Sequence, residues 1–218
     1  MSTNATSLRH DLPELPRFMR DLPIDAERGY PVPFFVDWIE GKPEFRIMDA
    51  QKLVRCVKER LCWVCGKELF RERVFVVGPM CTVNRISSEP PSHRECAVFS
   101  AMACPFLVKP QMVRRAAGMP AEKRITEGAI ERNPGVTAVW YTRSYRLEKV
   151  NPGVLFAMGA PFRVDWYTQG RIATREEVLE GIEKGLPALL ELAKADGPES
   201  IVMAKKAVEV AKRLVPSR

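Results

Sequence analysis

Histidine is scarce in this chain, with 2 in 218 residues against 34 Lys and Arg and 27 Asp and Glu. Chemistry that needs several imidazoles is therefore excluded. No apolar run approaches the ~18 residues that a membrane-crossing helix requires. The opening Met-Ser-Thr-Asn-Ala-Thr-Ser-Leu-Arg-His is polar and lacks the apolar core of a secretory signal, so a cytoplasmic protein is expected. A Gly-rich phosphate loop, a Gly-x-Ser-x-Gly elbow and a His-Glu-x-x-His helix are all missing, as are internal repeats and low-complexity tracts. With 46% hydrophobic and 28% charged residues, disordered, collagenous and coiled-coil classes are out. The length allows one large domain or two small ones.

What is present is a cluster of cysteines. All six, Cys56, Cys62, Cys65, Cys81, Cys96 and Cys104, fall within 49 positions. In a reducing compartment such clustering argues for metal ligation over disulfides. The charge is uneven too. Residues 51–125 carry 14 Lys and Arg against 6 Asp and Glu, whereas residues 1–50 carry 6 against 9. Three thiolates and one zinc dication lower the charge of the cysteine-rich segment by only about one unit, so it stays basic with metal bound. Polyanions fit as partners for such a segment.

The best-placed ligands are in Cys62-Trp63-Val64-Cys65-Gly66 and His93-Arg94-Glu95-Cys96. A Cys-x-x-Cys-Gly turn aims both sulfurs at one cation, and glycine relieves the backbone where positive φ is needed. Between the pairs, Arg73 to Val77 and Met80 to Ile86 read as strands of a hairpin around Gly78-Pro79. Ser92-x-x-Glu95 fits a capping box and predicts a helix starting at His93. A thioredoxin-like motif would follow a strand and open a helix, which this one does not. Cys81 and Cys104 remain alternatives to His93 as ligands, with core packing the other role open to them; Cys56 reads as a buried small hydrophobe.

Knuckle, hairpin and a helix whose first turn supplies the second ligand pair resemble the treble-clef zinc fingers over residues 61–104. The resemblance implies one structural zinc on Cys62, Cys65, His93 and Cys96. The whole chain also resembles an uncharacterised group of bacterial and phage proteins with the same Cys-Trp-Val-Cys-Gly and Gly-Pro-Met-Cys patterns, which implies no activity.

The fold class expected is α+β: a treble-clef zinc module (knuckle, β-hairpin, helix) with a C-terminal antiparallel β-meander plus helices. Residues 1–30 read as an extended arm. Residues 31–106 hold a hairpin, a helix capped by Asp49, with Leu53, Val54, Val57 and Leu61 on one face, and the zinc module. Residues 107–135 read as a connection with a weak helix at Ala121 to Glu131. Residues 136–218 hold the meander and helices: a β-rich run Val136 to Val150, strands Val154 to Met158 and Phe162 to Tyr167, then helices. Thr174-x-x-Glu177 is a capping box for the first of these, which Gly185 and Pro187 kink or divide, and Glu199 to Leu214 is the last.

Function is less constrained. Arg71, Arg73, Arg85 and Arg94 beside the zinc module, with Arg114 and Arg115 beyond it, suit phosphate contact, so the leading expectation is a non-catalytic zinc protein that contacts nucleic acid, DNA or RNA. Alternation also puts Tyr141, Arg143 and Tyr145 on one strand face, either to stack bases or to pack under the C-terminal helices. The alternative is a protein-protein interaction adaptor, with the acidic Pro-containing arm docking a partner or folding over its own basic face. A further alternative is a divergent His-Asn-His-like nuclease. That class places a histidine base on the hairpin, where this chain has neither histidine nor carboxylate, and only His10 is left once His93 binds zinc. No catalytic residue is assigned.

Overall fold

A computed structural model describes residues 8–109, 112, 133–151 and 153–217. Arg114, Arg115 and the helix expected at Ala121 to Glu131 lie outside the described residues. The fold is mixed α/β with antiparallel sheets throughout. Its elements are β1 (Val36–Ile39), β2 (Lys42–Met48), α1 (Ala50–Glu59), β3 (Arg73–Val77), α2 (Pro79–Asn84), β4 (Ile86–Ser87), α3 (Arg94–Ala103) and α4 (Pro105–Val108). There follow β5 (Thr137–Thr142), β6 (Tyr145–Lys149), β7 (Val154–Met158), β8 (Pro161–Thr168), β9 (Arg171–Ile172), α5 (Arg175–Ala195) and α6 (Pro198–Lys212).

Locally encoded elements form as their caps dictate. Glu40 and Gly41, both at positive φ, close the β1–β2 hairpin. Asp49 accepts from the amides of Gln51 and Lys52 at the start of α1. Cys56 is buried on this helix as expected, whereas Val54, at 48% exposure, leaves the apolar face assigned to it. Thr174 and Glu177 form a complete capping box, satisfying two amides that the first turn of α5 would leave orphaned. This helix runs on through Pro187 to Ala195 without being divided.

Two strand assignments are corrected. Met80 to Ile86 is not the second strand of a hairpin, because α2 occupies Pro79–Asn84, with Gly78 as N-cap and Pro79 in the first turn. Proline there loses no hydrogen bond and sets the helical φ. β3 finds its partner in β5 instead, with Phe75 opposite Trp140. The run Val136 to Val150 is likewise not one strand. It breaks at Arg143 and Ser144, where Thr142 Oγ1 accepts from the Ser144 amide and donates toward Ala160 O.

The two halves of that run enter different sheets. One has the order β3-β5-β8-β9 and the other β4-β7-β6. Helix α3 covers one face of the four-stranded sheet, packing Ala97 and Ala101 on Val74, Val139, Tyr141 and Tyr167. On its other face Phe75, Val77, Ala138, Trp140 and Trp166 meet Val178, Ile182, Leu189, Val208 and Ala211 from α5 and α6. β5 is therefore buried at every position. Its side chains cannot form one wet and one dry face, and Tyr141 and Trp140 are both core residues. Tyr145 packs at the edge of the same core, against Phe75 and Phe156.

Candidate metal centre

Four side chains converge below the sheet. The ligand atoms of Cys62, Cys65, His93 and Cys96 all lie within 4.8 Å of one another, and all four residues are buried. Cys62 and Cys65 sit on a tight knuckle, closed by Gly66 N donating to Cys62 O at 2.8 Å and Cys62 N donating to Lys67 O at 2.8 Å. Gly66 has φ +71°, and a Cβ there would come 2.6 Å from the ring of Phe34. No other residue fits that position without moving the ring. A bridge between Leu61 and Glu68 extends the knuckle into a short ribbon.

The second ligand pair comes from the start of α3. His93 is its N-cap, and no side chain caps this end. The expected Ser92 box does not form: the helix is capped at His93, one residue later, and the Ser92 amide that Glu95 would reach donates instead to the Val74 carbonyl at 2.7 Å, while the Ser92 carbonyl accepts from the Val74 amide at 3.2 Å. This bridge fastens the helix start to β3. Cys96 lies one turn on and is fully buried.

Hydrogen bonds around the sulfurs complete the arrangement. The amides of Cys65 and His93 donate to Cys62 Sγ at 3.5 and 3.3 Å. His93 Nε2 lies 2.8 Å from the carbonyl oxygen of Glu68. The carbonyl can only accept, so Nε2 carries a proton and Nδ1 is the nitrogen left to face a cation. Nδ1 is 3.3 Å from Cys65 Sγ. An outer carbonyl fixing the tautomer is the usual support of a metal-binding imidazole.

The donor set suits zinc. Bonds of about 2.3 Å to sulfur and about 2.0 Å to nitrogen imply ligand atoms roughly 3.5–3.8 Å apart, inside the spread seen here. The group also attracts positive charge. Burial opposes a charged imidazole, yet the neighbouring Cys62 and Cys65 sulfurs raise His93 to about 10. Burial likewise opposes the Cys62 thiolate, but hydrogen bonds from Cys65, Cys96 and His93 hold it well below the ordinary thiol value. Hydrogen bonding to Cys62 and Cys65 pushes Cys96 far up. A cation seated among the donors takes the place of these protons.

Sequence reasoning left open that the arm folds over its own module but did not foresee the apolar packing with which it covers the centre. Residues Leu12, Leu15, Phe18, Met19 and Leu22 of the N-terminal segment pack against Cys62, Cys65, Leu69, Cys96 and Phe99, and Met19 is 1% exposed. Phe18 stacks on the His93 ring at 4.4 Å with planes 15° apart. Asp21 pairs with Lys67 at 2.6 Å, holding the segment to the knuckle. The available signal was the spacing of apolar residues at 12, 15, 18, 19 and 22, in a stretch interrupted by Pro13, Pro16 and Pro23. Nothing in the sequence pointed to the Glu68 carbonyl.

Cys81 packs instead beside the sheet–helix core, and Cys104 caps the end of α3, away from the four ligands. None of the six cysteines is in a disulfide. Arg71, Arg85 and Arg94 are exposed, and Arg73 is half-buried. Arg73 donates to the carbonyl oxygens of Phe70 and Glu72. Arg85 lies over the Trp140 ring and Arg94 over the Tyr141 ring, at 5.9 and 5.8 Å. Arg94 also lines a cleft of about 400 Å³ with Tyr141, Arg163, Asp165 and Tyr167. The four described arginines thus do not share one spot; they are spread from the knuckle to the sheet edge. His10 is exposed and takes no part in the metal cluster.

Fold and site together define an α+β protein with a buried Cys3His cluster able to hold one metal ion. No helix among the described residues is long and apolar enough to cross a membrane. No protein-family model matches the chain, and comparison with curated proteins and with solved structures returns no match either.

Proposed function

We propose that this is a cytoplasmic zinc protein that keeps the knuckle and ligand-bearing helix start of a treble clef without the hairpin between them, in which Cys62, Cys65, His93 and Cys96 hold one structural zinc and the surrounding basic region contacts nucleic acid. The observation that carries the reading is the four-donor cluster, buried on all sides and braced by the Glu68 carbonyl. Four protein donors close the coordination shell and leave no position for a substrate or an activated water, so the role is structural. Bound zinc supplies folding free energy to a part of the chain whose own apolar cluster is small. Contact with polyanions is supported by the excess of Lys and Arg in residues 51–125. It is supported further by Arg71, Arg85 and Arg94, which are exposed and pair with no carboxylate among the described residues. Arg114 and Arg115 belong to the same basic segment.

The test is elemental analysis of the wild type and Cys65→Ser, alongside a gel-shift titration against mixed DNA and RNA at several salt concentrations. One zinc per chain, lost in the variant, with binding that weakens steeply as salt rises, is the expected outcome. Absence of zinc removes the whole reading. Zinc without nucleic-acid binding removes its second half.

A further inference from the structure

Beside the metal centre lies an exposed aromatic ring that the ligand set does not use. Phe70 follows the knuckle directly and is 62% exposed. It is nonetheless held on its inner side, with ring centroids 5.7 Å from Phe18 and 5.3 Å from His93. Phe18 is itself stacked on the imidazole, and the Arg17 guanidinium carbon lies 4.5 Å from the Phe18 centroid. Arg73 donates to the carbonyl oxygen of Phe70, which ties the base of this aromatic residue to a second guanidinium. Arg71, the next residue, is exposed. Arg17, Arg71 and Arg73 pair with no carboxylate among the described residues.

A single exposed phenylalanine is ordinary; one braced against two rings and bordered by three uncompensated guanidinium groups is not. The ring offers a rigid π face, and three cations belong to its surroundings: Arg17 over the Phe18 ring, Arg71 next in sequence and Arg73 on the Phe70 carbonyl. Base stacking on an aromatic ring needs a base that is not already stacked and paired, which a single strand has and a duplex interior lacks. A protein interface built on Phe70 would instead leave three positive charges to be desolvated or matched by carboxylates. We propose that Phe70 stacks an unpaired base of single-stranded nucleic acid while Arg17, Arg71 and Arg73 contact its phosphates. This rests on the nucleic-acid reading above and narrows its ligand to single strands. Because the platform is built on the His93 ring, it forms only where the metal ligands are in place.

The test uses the full zinc-loaded chain and two fluorescently labelled probes, an oligothymidylate and a blunt duplex of equal length, in anisotropy titrations. The wild type binds the single strand more tightly. Phe70→Ala weakens single-strand binding about ten-fold or more, the scale of one lost stacking contact, and changes duplex binding by less than about two-fold. Phe70→Trp keeps the affinity and its emission is quenched by the bound strand. Arg71→Ala weakens both probes and lowers the salt slope by about one. If Phe70→Ala loses zinc, Phe70→Leu, which fills the same space without a π face, decides in its place. Unchanged single-strand affinity in the deciding variant, or equal wild-type affinity for both probes, overturns the platform and leaves the nucleic-acid reading standing. Failure of the wild type to bind either probe overturns both.

Discussion

Two of the hydrophobic clusters among the described residues, the sheet–helix core and the one around the knuckle, are held by different means. The sheet–helix core brings together both buried tryptophans of β5 and β8 with Phe75, Phe156, Val178, Ile182 and Leu189. Its tryptophan nitrogens are satisfied, Trp140 Nε1 by Gly159 O at 3.0 Å and Trp166 Nε1 by Leu214 O at 3.1 Å. The cluster around the knuckle is smaller, and three of its eight buried members are the ligand cysteines themselves. Apart from those sulfurs, the region has Met19, Val64, Leu69, Phe99 and Ala103, with the partly buried Leu12, Leu15, Phe18 and Leu22, to offset the entropy of ordering an arm, a knuckle and a helix start. Burial is extensive in the first region, whereas the second is the one that the proposed zinc would cross-link.

The largest effect should come from taking the metal away. A structural zinc contributes on the order of 10–16 kcal/mol in small fingers, so a strong chelator, or Cys96→Ser, should release residues 12–22, 61–70 and 92–103. Hydrogen exchange measured with and without chelator would show protection lost there and retained in β5 and β8. Equal loss in the sheet amides would break the comparison and make the chain one cooperative unit.

The converse is Trp140→Ala in the sheet core. Trp140 is fully buried, and emptying such a site should cost about 3–5 kcal/mol in denaturant unfolding. Zinc stoichiometry should stay at wild-type level under native conditions. Loss of the metal along with the tryptophan would show that β3, which carries the Ser92 bridge, transmits the damage to the ligand pair.

A smaller effect is expected at the α5 cap. Thr174→Ala removes the acceptor for the Glu177 amide and should lower stability by about 1 kcal/mol. Metal affinity should not change. Smallest of all is the pH effect of Glu177. Hydrogen bonding to Arg171, reinforced by the Thr174 amide, lowers its carboxyl to about 2. A depressed carboxylate stabilises the fold above its ordinary value near 4.5 and loses that contribution as pH falls toward about 2. The group is exposed at the surface, so Glu177→Gln should flatten the change in unfolding free energy over that acid range by no more than about 0.5 kcal/mol. A larger change would mean that the cap, and not only burial, holds the sheet–helix core.

Elements whose signals are local were legible in the chain. Asp49, Thr174 with Glu177, and the Glu40-Gly41 turn each satisfy or reverse a backbone within a few residues, so α1, α5 and the β1–β2 hairpin follow from short stretches. The metal cluster is of this kind in part, since Cys-x-x-Cys-Gly and His-x-x-Cys each set two donors on one turn. Errors arose where the partner is distant. Met80 to Ile86 has strand composition, but β3 already pairs with β5 some sixty residues on, and the Gly-Pro start of α2 was the overlooked local cue. The Val136 to Val150 run has no internal breaker. Its break belongs to the contact with Gly159, where a Cβ would come 2.6 Å from the Ser144 carbonyl oxygen.

By itself, then, the chain determines its caps, its turns and two pairs of metal donors, because those depend on hydrogen bonds and ligand geometry within one or two turns. Tertiary structure alone decides that the pairs meet, that β5 is buried on both faces, and that Phe18 and Phe70 flank His93. Those outcomes come from the side on which α3 and the arm pack, and that choice is made by non-directional burial summed over residues far apart in sequence.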